Sequence, residues 1–392
     1  MDTRIIHAAL YTPGLKHRWG QPLRIIGGPG TAKSALIESV ATASGLHVEI
    51  VIASLRDPTD FLGLPVPRDD GSVGYAPPAW ALRAAKAKHA VVFLDEIGQC
   101  PPAVQASLMR VVLDRVVGDF VLPTSVRILA AQNSTEDSAG GYDLAAPLAN
   151  RFGTLSDWVG PSSEEWCSWL LQAGNGNEVE VATTVEAEEA RVMKAWPSTY
   201  AKAAGIVTSF LRRKPSLLHA QPPSGSPEAS MAWPSRRSWE MATRALAASE
   251  IHHLDEAESD RYVGAFIGSA AMRELRSWLV NVDLPDPAEL LDGKIEWKHD
   301  PDRLDRTMVV CSSCAALVAP HSAEKRIPRA EACWKLVHGL MEVSDVVLPA
   351  VRTLVSEQVR LVRGPKGMFA HAEKVLAKFL PIFNAAGIRV GA

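Results

Sequence analysis

Short apolar runs recur along the first 160 residues and predict the strands of a buried sheet. They are rich in β-branched and aliphatic residues, as strands covered on both faces are, and they lie at 23–26, 46–53, 90–97 and 126–131. Amphipathic stretches separate them, and 102–113 places its apolar residues on one side of a helix. This alternation predicts an α/β fold with a parallel sheet between helices.

Two intervening segments have the turn residues of β-hairpins. In 57–80, Asp70-Gly71 lies between Leu64-Pro-Val and Val73-Gly-Tyr, and in 114–123 the turn is Gly118-Asp119. Both segments are therefore expected to protrude from the α/β core as hairpins.

Beyond residue 158 the pattern is mostly helical. Ser235 is a plausible N-cap for a helix that opens with Arg236 and Arg237, a placement that opposes the helix dipole unless one arginine binds an anion. Residues 283–293 predict a turn-rich connector. Further helices are expected at 164–172, 181–214, 262–279, 303–318, 329–343, 346–360 and 368–386. The last four carry no polar constellation and predict a bundle used for packing or partner contact.

The composition limits the possible classes of protein but does not indicate a particular function. The 392 residues are 47% apolar and 22% charged, with a net charge of −3, which suits two or three globular domains and gives no global case for nucleic-acid binding. No apolar run has the length of a bilayer span and the N-terminus lacks a signal core, so we expect a cytoplasmic protein without a membrane partner. Five cysteines predict reduced thiols, and Cys311-x-x-Cys314 is interpreted as helix packing rather than a metal site.

The segment 23–34 has the order of a phosphate-binding loop, since a short strand leads through Gly-Gly-Pro-Gly-Thr-Ala into a helix. Backbone N–H groups of such a loop point at phosphates. Lys33 would reach the β- and γ-phosphates, and the Ser34 hydroxyl would bind Mg²⁺. Ala32 replaces the usual glycine before the lysine; alanine can lie in a first helical turn, so this residue is compatible with the loop.

Polar residues end two of the predicted strands. The apolar residues 90–94 are followed by Asp95 and Glu96. We expect Asp95 to hold Mg²⁺ and Glu96 to act as general base for the attacking water. The alternative is that the two carboxylates have no chemical role and only end a strand where it meets solvent. Gln132 and Asn133 end the next strand at the same edge, where either could position that water or form a turn. Arg151, flanked by apolar residues, is either an arginine finger or a surface salt-bridge partner.

Together these segments resemble the AAA+ ATPases, and among them the MoxR-like, dynein-related group, whose phosphate-binding loop carries alanine before the lysine. Leu94-Asp95-Glu96 resembles the Walker B motif, Asn133 the sensor-1 asparagine, Asn150-Arg151-Phe152 the arginine finger, and Ser235-Arg-Arg237 the sensor-2 segment. The choice between Arg236 and Arg237 stays open, with Arg237 preferred. The nucleotide-binding set implied by the resemblance is Gly28, Pro29, Gly30, Thr31, Ala32, Lys33, Ser34, Ala35 and Arg237, with Lys33, Glu96, Asn133 and Arg151 catalytic and Ser34 and Asp95 binding metal.

The resemblance also implies an organisation. Residues 1–158 would be a P-loop NTPase core with a helix-2 insert at about 60–80 and a pre-sensor-1 hairpin at about 114–123. Residues 159–280 would form a helical lid, and 281–392 a C-terminal helical domain.

The function implied is a ring, usually a hexamer, that uses ATP and Mg²⁺ to remodel a protein client, such as one with a von Willebrand A domain. Two other hypotheses remain. One is a nucleic-acid-linked motor in restriction or phage defence that uses the basic patches at 212–214 and 360–366. The other is a nucleotide-gated scaffold with slow hydrolysis. GTP in place of ATP also stays open.

Overall fold

The computed structural model describes residues 3–134, 137, 142–173, 183–279, 284–356, 358–365 and 367–385. These residues form two compact units. The first comprises 1–194 and 217–274, and the second comprises 195–216 and 275–392. The division into core, lid and C-terminal domain stays a prediction.

A five-stranded parallel sheet is the centre of the first unit. The strands are β1 (Leu23–Gly27), β2 (His47–Ile52), β5 (Ala90–Asp95), β8 (Val126–Asn133) and β9 (Gly153–Trp158), in the order β2-β5-β8-β1-β9. The expected α/β fold with a parallel sheet is confirmed. The strand β9 has no counterpart among the predicted strands, although its first three residues are buried.

The prediction that residues 46–53 form a buried strand is half wrong. The strand forms as β2, but it lies at the edge of the sheet, and Ile50 and Ile52 are 42% and 40% exposed. A β-branched run predicts a strand well, but it does not tell an edge strand from a central one, because that depends on pairing partners far along the chain.

Helices and the two expected hairpins complete this unit. The hairpins are β3 (Leu64–Pro67) with β4 (Val73–Ala76), and β6 (Val116–Val117) with β7 (Phe120–Val121). The helices that lie within it are α1 (Thr3–Leu10), α2 (Lys33–Ala43), α3 (Thr59–Leu62), α4 (Ala79–Lys86), α5 (Pro102–Asp114), α6 (Ala146–Ala149), α7 (Ser163–Ala173) and α9 (Arg236–Ile251). The helices α8 (Val185–Arg213) and α10 (Glu256–Leu279) contribute residues to both units.

The second unit is helical in its described part, apart from a short hairpin. Its helices are α11 (Pro287–Leu291), α12 (Leu304–Val318), α13 (Arg326–Gly339), α14 (Ser344–Val355) and α15 (Ala370–Ala385), and its hairpin pairs β10 (Arg363–Gly364) with β11 (Gly367–Met368). The four long helices match the prediction. The connector at 283–293 is predicted to be rich in turns, and the short helix α11 forms within it because Asp286 accepts bonds from the Ala288 and Glu289 N–H groups at its start.

Trp334 and the cysteines lie in the core of this second unit. Trp334, Cys311, Cys314 and Cys333 are fully buried, and the Trp334 Nε1 donates to the Leu361 carbonyl at 2.7 Å. Burial raises the pKa of the Cys311 thiol to about 12. The C-x-x-C pair therefore packs on α12, as the apolar helix pattern predicts.

Candidate nucleotide site

The glycine-rich loop turns directly from β1 into α2 and buries the ammonium group of Lys33. The Lys33 Nζ donates to the carbonyl oxygens of Gly27 (2.9 Å) and Gly28 (2.7 Å) and to Asn133 Oδ1 (3.0 Å). Burial lowers the pKa of Lys33, and the charges of Asp95 and Asp137 oppose that shift. Lys33 and Asn133, 100 positions apart, thus meet at the end of β1.

Alanine is compatible with the loop at position 32, but Ala32 lies just before the first helical turn and not within it. It immediately precedes α2 with φ 61° and ψ 26°, in the left-handed region. Outside glycine this conformation costs about 1–2 kcal/mol, so the neighbouring loop must hold it in place. Gly30 is also left-handed (φ +71°), and a Cβ there would meet nothing within 4 Å, so this part of the loop is open.

The hydroxyl of Ser34 and the carboxylate of Asp95, which are 61 positions apart in the sequence, come together beside the loop. The Ser34 hydroxyl donates to Asp95 Oδ2 at 2.6 Å, and Asp95 Oδ1 accepts the Glu96 N–H at 2.9 Å. A hydroxyl and a carboxylate are hard oxygen ligands of the kind that Mg²⁺ prefers. The residues expected to hold the metal therefore fit it in position and in chemistry.

Glu96 follows β5 with a left-handed backbone, φ 57° and ψ 33°. Its Oε2 accepts a short hydrogen bond from the Ser54 hydroxyl. The register explains the pairing, because Ile52 lies beside Asp95 in the sheet and carries Ser54 to the same edge. Sequence reasoning missed Ser54; the available signal was a hydroxyl residue directly after a predicted strand.

Trp158 supports the loop from the far side of β1, and it too was not predicted as a site residue. Its Nε1 donates to the Thr31 carbonyl at 2.8 Å, and the Thr31 hydroxyl donates to the Gly28 carbonyl at 2.7 Å. A Cβ on Gly27 would come within 2.8 Å of the Trp158 ring. Glycine is therefore needed at position 27 because the indole packs against the backbone.

The two amides at the end of β8 have different partners. Asn133 contacts Lys33, whereas Gln132 is buried and accepts from Arg24 Nη1 at 3.1 Å. Arg24 is fully buried, and its Nη2 also donates to Thr154 Oγ1 (2.8 Å) and the Ser230 carbonyl (2.7 Å). Asn133 is thus the amide at the phosphate-binding loop, and Gln132 belongs to a network behind it.

Arg151 and Arg237 form a second group. The Asn150 Oδ1 accepts from the Ser235 hydroxyl at 2.9 Å, which joins the two segments, and Ser235 caps α9 as predicted. Burial and the nearby charge of Arg237 lower the pKa of Arg151, against the charge of Asp114. Among the described residues Arg237 forms no hydrogen bond or ion pair. The structure therefore brings the two predicted arginines together, and no described hydrogen bond joins either to Lys33.

Residues 22–152 match the family model of the AAA domain of the dynein-related subfamily. The chain carries an AAA+ domain of the dynein-related subfamily. Midasin from Giardia intestinalis is 27% identical over 166 residues, a stretch that covers 39% of this chain and 3% of Midasin. A crystal structure of a candidate ATPase from Cytophaga hutchinsonii superposes with a TM-score of 0.48 at 16% identity, over 72% of this chain and 88% of that one.

The matched AAA+ region contains β1, the loop, Asp95, Glu96, Asn133 and Arg151, all within 22–152. Arg237 and the helices beyond residue 152 lie outside it. Among the described residues no helix is long and apolar enough to cross a membrane.

Proposed function

We propose that this AAA+ protein hydrolyses ATP with Mg²⁺ and uses the energy to remodel or activate a protein client. One observation carries the proposal, namely that Lys33, Ser34, Asp95, Glu96 and Asn133 converge at the carboxyl ends of three neighbouring strands. Ligands of open parallel sheets bind at this edge.

In this proposal each residue has one task. Lys33 and the loop N–H groups bind the phosphates, and the Mg²⁺ held by Ser34 and Asp95 would neutralise charge on the transferred phosphoryl group. Glu96 accepts a proton from the attacking water, and Ser54 holds its carboxylate in place. Asn133 orients the water or the γ-phosphate.

We further propose a ring, a hexamer in the usual case, in which Arg151 and Arg237 act on the nucleotide of a neighbouring copy. Arg151 and Arg237 lie together, and no described hydrogen bond joins either of them to the phosphate-binding loop of their own protomer. They are therefore suited to bind an anion that comes from outside the protomer. Burial, and in addition the repulsion between the two arginines, lowers the pKa of Arg151, and that anion would relieve the repulsion.

The two hairpins are the proposed contact with the client. Asp119 Oδ2 accepts from Arg68 Nη2 (2.8 Å) and from the Tyr75 N–H (3.0 Å), which joins the turn of the second hairpin to the first hairpin. Nearby apolar side chains are unusually exposed, including Leu64 (61%), Val73 (59%) and Val121 (62%). A joined apolar pair of hairpins favours a protein client, including one of the von Willebrand A type, over nucleic acid.

The first test is Glu96→Gln, which removes the base and keeps the side chain's size. ATP binding should be retained while turnover falls about a thousandfold or more. Steady-state phosphate release and nucleotide titration measure the two quantities. A variant that hydrolyses ATP as readily as an active wild type would disprove the mechanism. A wild type that itself scarcely hydrolyses ATP, while ATP still promotes its assembly, would favour the scaffold.

The second test uses Glu96→Gln protein with ATP as a client trap. Val73→Ser with Val121→Ser in that background should abolish capture of the client, whereas Leu82→Ser, which changes an exposed residue of α4, should not. Equal capture by both variants would remove the hairpins from the proposal.

Turnover that rises with DNA or RNA and falls steeply with salt would instead support the nucleic-acid motor.

A further inference from the structure

A groove of about 500 Å³ lies in the first unit between the loop that precedes β1, the end of α5 and the start of α9. Six basic side chains and two acidic ones line it, a formal net charge of +4. The basic residues are Lys16, Arg18, Arg115, Arg236, Arg237 and Arg244. Of the two acids, Glu240 pairs with Arg244.

Arg115 is the buried cation of this groove. It is 3% exposed, its Nη atoms donate to the Val112 and Gly20 carbonyls at 3.0 and 3.3 Å, and its Nε has no partner. No carboxylate pairs with it among the residues that the structure describes. A buried charge is costly unless an opposite charge compensates it, so an anion in the groove would stabilise this arrangement.

Three of the surrounding cations have no partner of opposite charge among the described residues. Arg18 Nη1 donates to the Leu113 carbonyl at 2.8 Å, and neither Arg18, Lys16 nor Arg236 forms an ion pair within the described part of the chain. Lys16, His17 and Arg115 all have left-handed backbones, with φ of 58°, 59° and 56°. Strain of this kind in non-glycine residues is concentrated at ligand sites.

The groove is separate from the protomer's own phosphate-binding loop. Gly20, Gln21 and Pro22 line it at the amino end of β1, whereas the loop leaves the carboxyl end of that strand. A five-residue strand is roughly 16 Å long. Phosphates bound at Lys33 of the same protomer therefore do not fill the groove.

We infer that this groove binds a phosphate-rich anion of di- or triphosphate size through Lys16, Arg18, Arg115 and Arg236. Two sources have that chemistry, a nucleotide held by a neighbouring copy and a free polyphosphate ion. Only the first source rests on the proposed ring, since binding of a free anion requires neither assembly nor hydrolysis.

The test titrates inorganic tripolyphosphate into Lys33→Ala protein by calorimetry, so that the protomer's own loop contributes little. One salt-sensitive site per chain is expected, weakened at least tenfold by Arg18→Gln with Arg236→Gln in the same background. Arg110→Gln, on the exposed face of α5 and outside the groove, is the matched control. No saturable binding, or equal affinity in the double variant and the control, would overturn the inference.

A second titration identifies the source. If a neighbour's nucleotide fills the groove, ATP-assembled Glu96→Gln protein should no longer bind tripolyphosphate there, and the double variant should assemble less well with ATP. If a free anion is the ligand, binding should persist in the assembled protein. Failure of ATP hydrolysis alone would leave the first titration unchanged, so the two proposals fail separately.

Discussion

The two compact units differ in the charged side chains that they bury. Among the described residues every buried charged side chain belongs to the first unit: Arg24, Lys33, Glu49, Arg115, Arg127, Glu188 and Arg244. The second unit buries Trp334, three cysteines and aliphatic residues, with only hydroxyl groups as buried polar side chains in its described part. Burying a charge is costly, so the first unit has to supply partners or ligands for these groups, whereas the core of the second unit depends on apolar packing. Substitutions in the two units should accordingly affect different measurements.

The largest effect is expected for a substitution of Trp334, which tests whether the second unit is only a structural core. Trp334→Ala removes a fully buried indole and its bond to Leu361, and should lower the free energy of unfolding of that unit by about 3–5 kcal/mol. Chemical denaturation monitored by fluorescence measures this change. Turnover per folded molecule should stay within about twofold of wild type, and a larger loss without unfolding would give this unit a role in catalysis.

Arg151→Ala should reduce turnover about 10- to 100-fold while the protomer stays folded, because it removes a cation proposed to face a neighbour's phosphates. Mixing it with Glu96→Gln subunits should restore part of the activity, since each mixed interface can combine an intact base with an intact arginine. Circular dichroism controls for folding. If no mixing ratio restores activity, the arginine does not act between subunits.

A smaller effect is expected for Ser54→Ala, which deletes the hydroxyl that holds Glu96. We expect kcat to fall about three- to tenfold with KM for ATP unchanged, because Ser54 orients the base and does not contact the phosphates. Ser54→Thr keeps the hydroxyl and should recover most of the rate. A change confined to KM would assign Ser54 to nucleotide binding.

The smallest effect concerns the thiols. Cys167 on α7 is exposed, whereas Cys100, Cys311, Cys314 and Cys333 are buried. Burial raises the pKa of Cys100 and Cys311 to about 12, so little thiolate forms at pH 8. A chromogenic disulfide reagent should titrate one fast thiol in the native protein and five after unfolding, and Cys167→Ser should abolish the fast phase without altering turnover or stability. A second fast thiol would show that a buried core opens readily.

Much of the fold follows from local pattern. The apolar runs predict four of the five strands, the Asp70-Gly71 and Gly118-Asp119 turns predict both hairpins, and Ser235 predicts the start of α9. The strand β9 was missed because Gly153–Trp158 alternates too weakly, and its place beside β1 depends on long-range pairing. The edge position of β2 was missed for the same reason.

By itself the sequence determined which segments form strands, helices and hairpins, and which polar side chains stand at the ends of the strands. It could do so because hydrophobic periodicity and turn residues act over a few positions. It thereby predicted the phosphate-binding loop and the residues at the ends of β5 and β8. Only the tertiary structure decided that Ser54 contacts Glu96, that Asn133 and not Gln132 meets Lys33, that Ala32 is left-handed, and that Arg151 lies near Arg237. These outcomes depend on sheet order, register and packing between segments far apart in the chain, which local pattern does not encode.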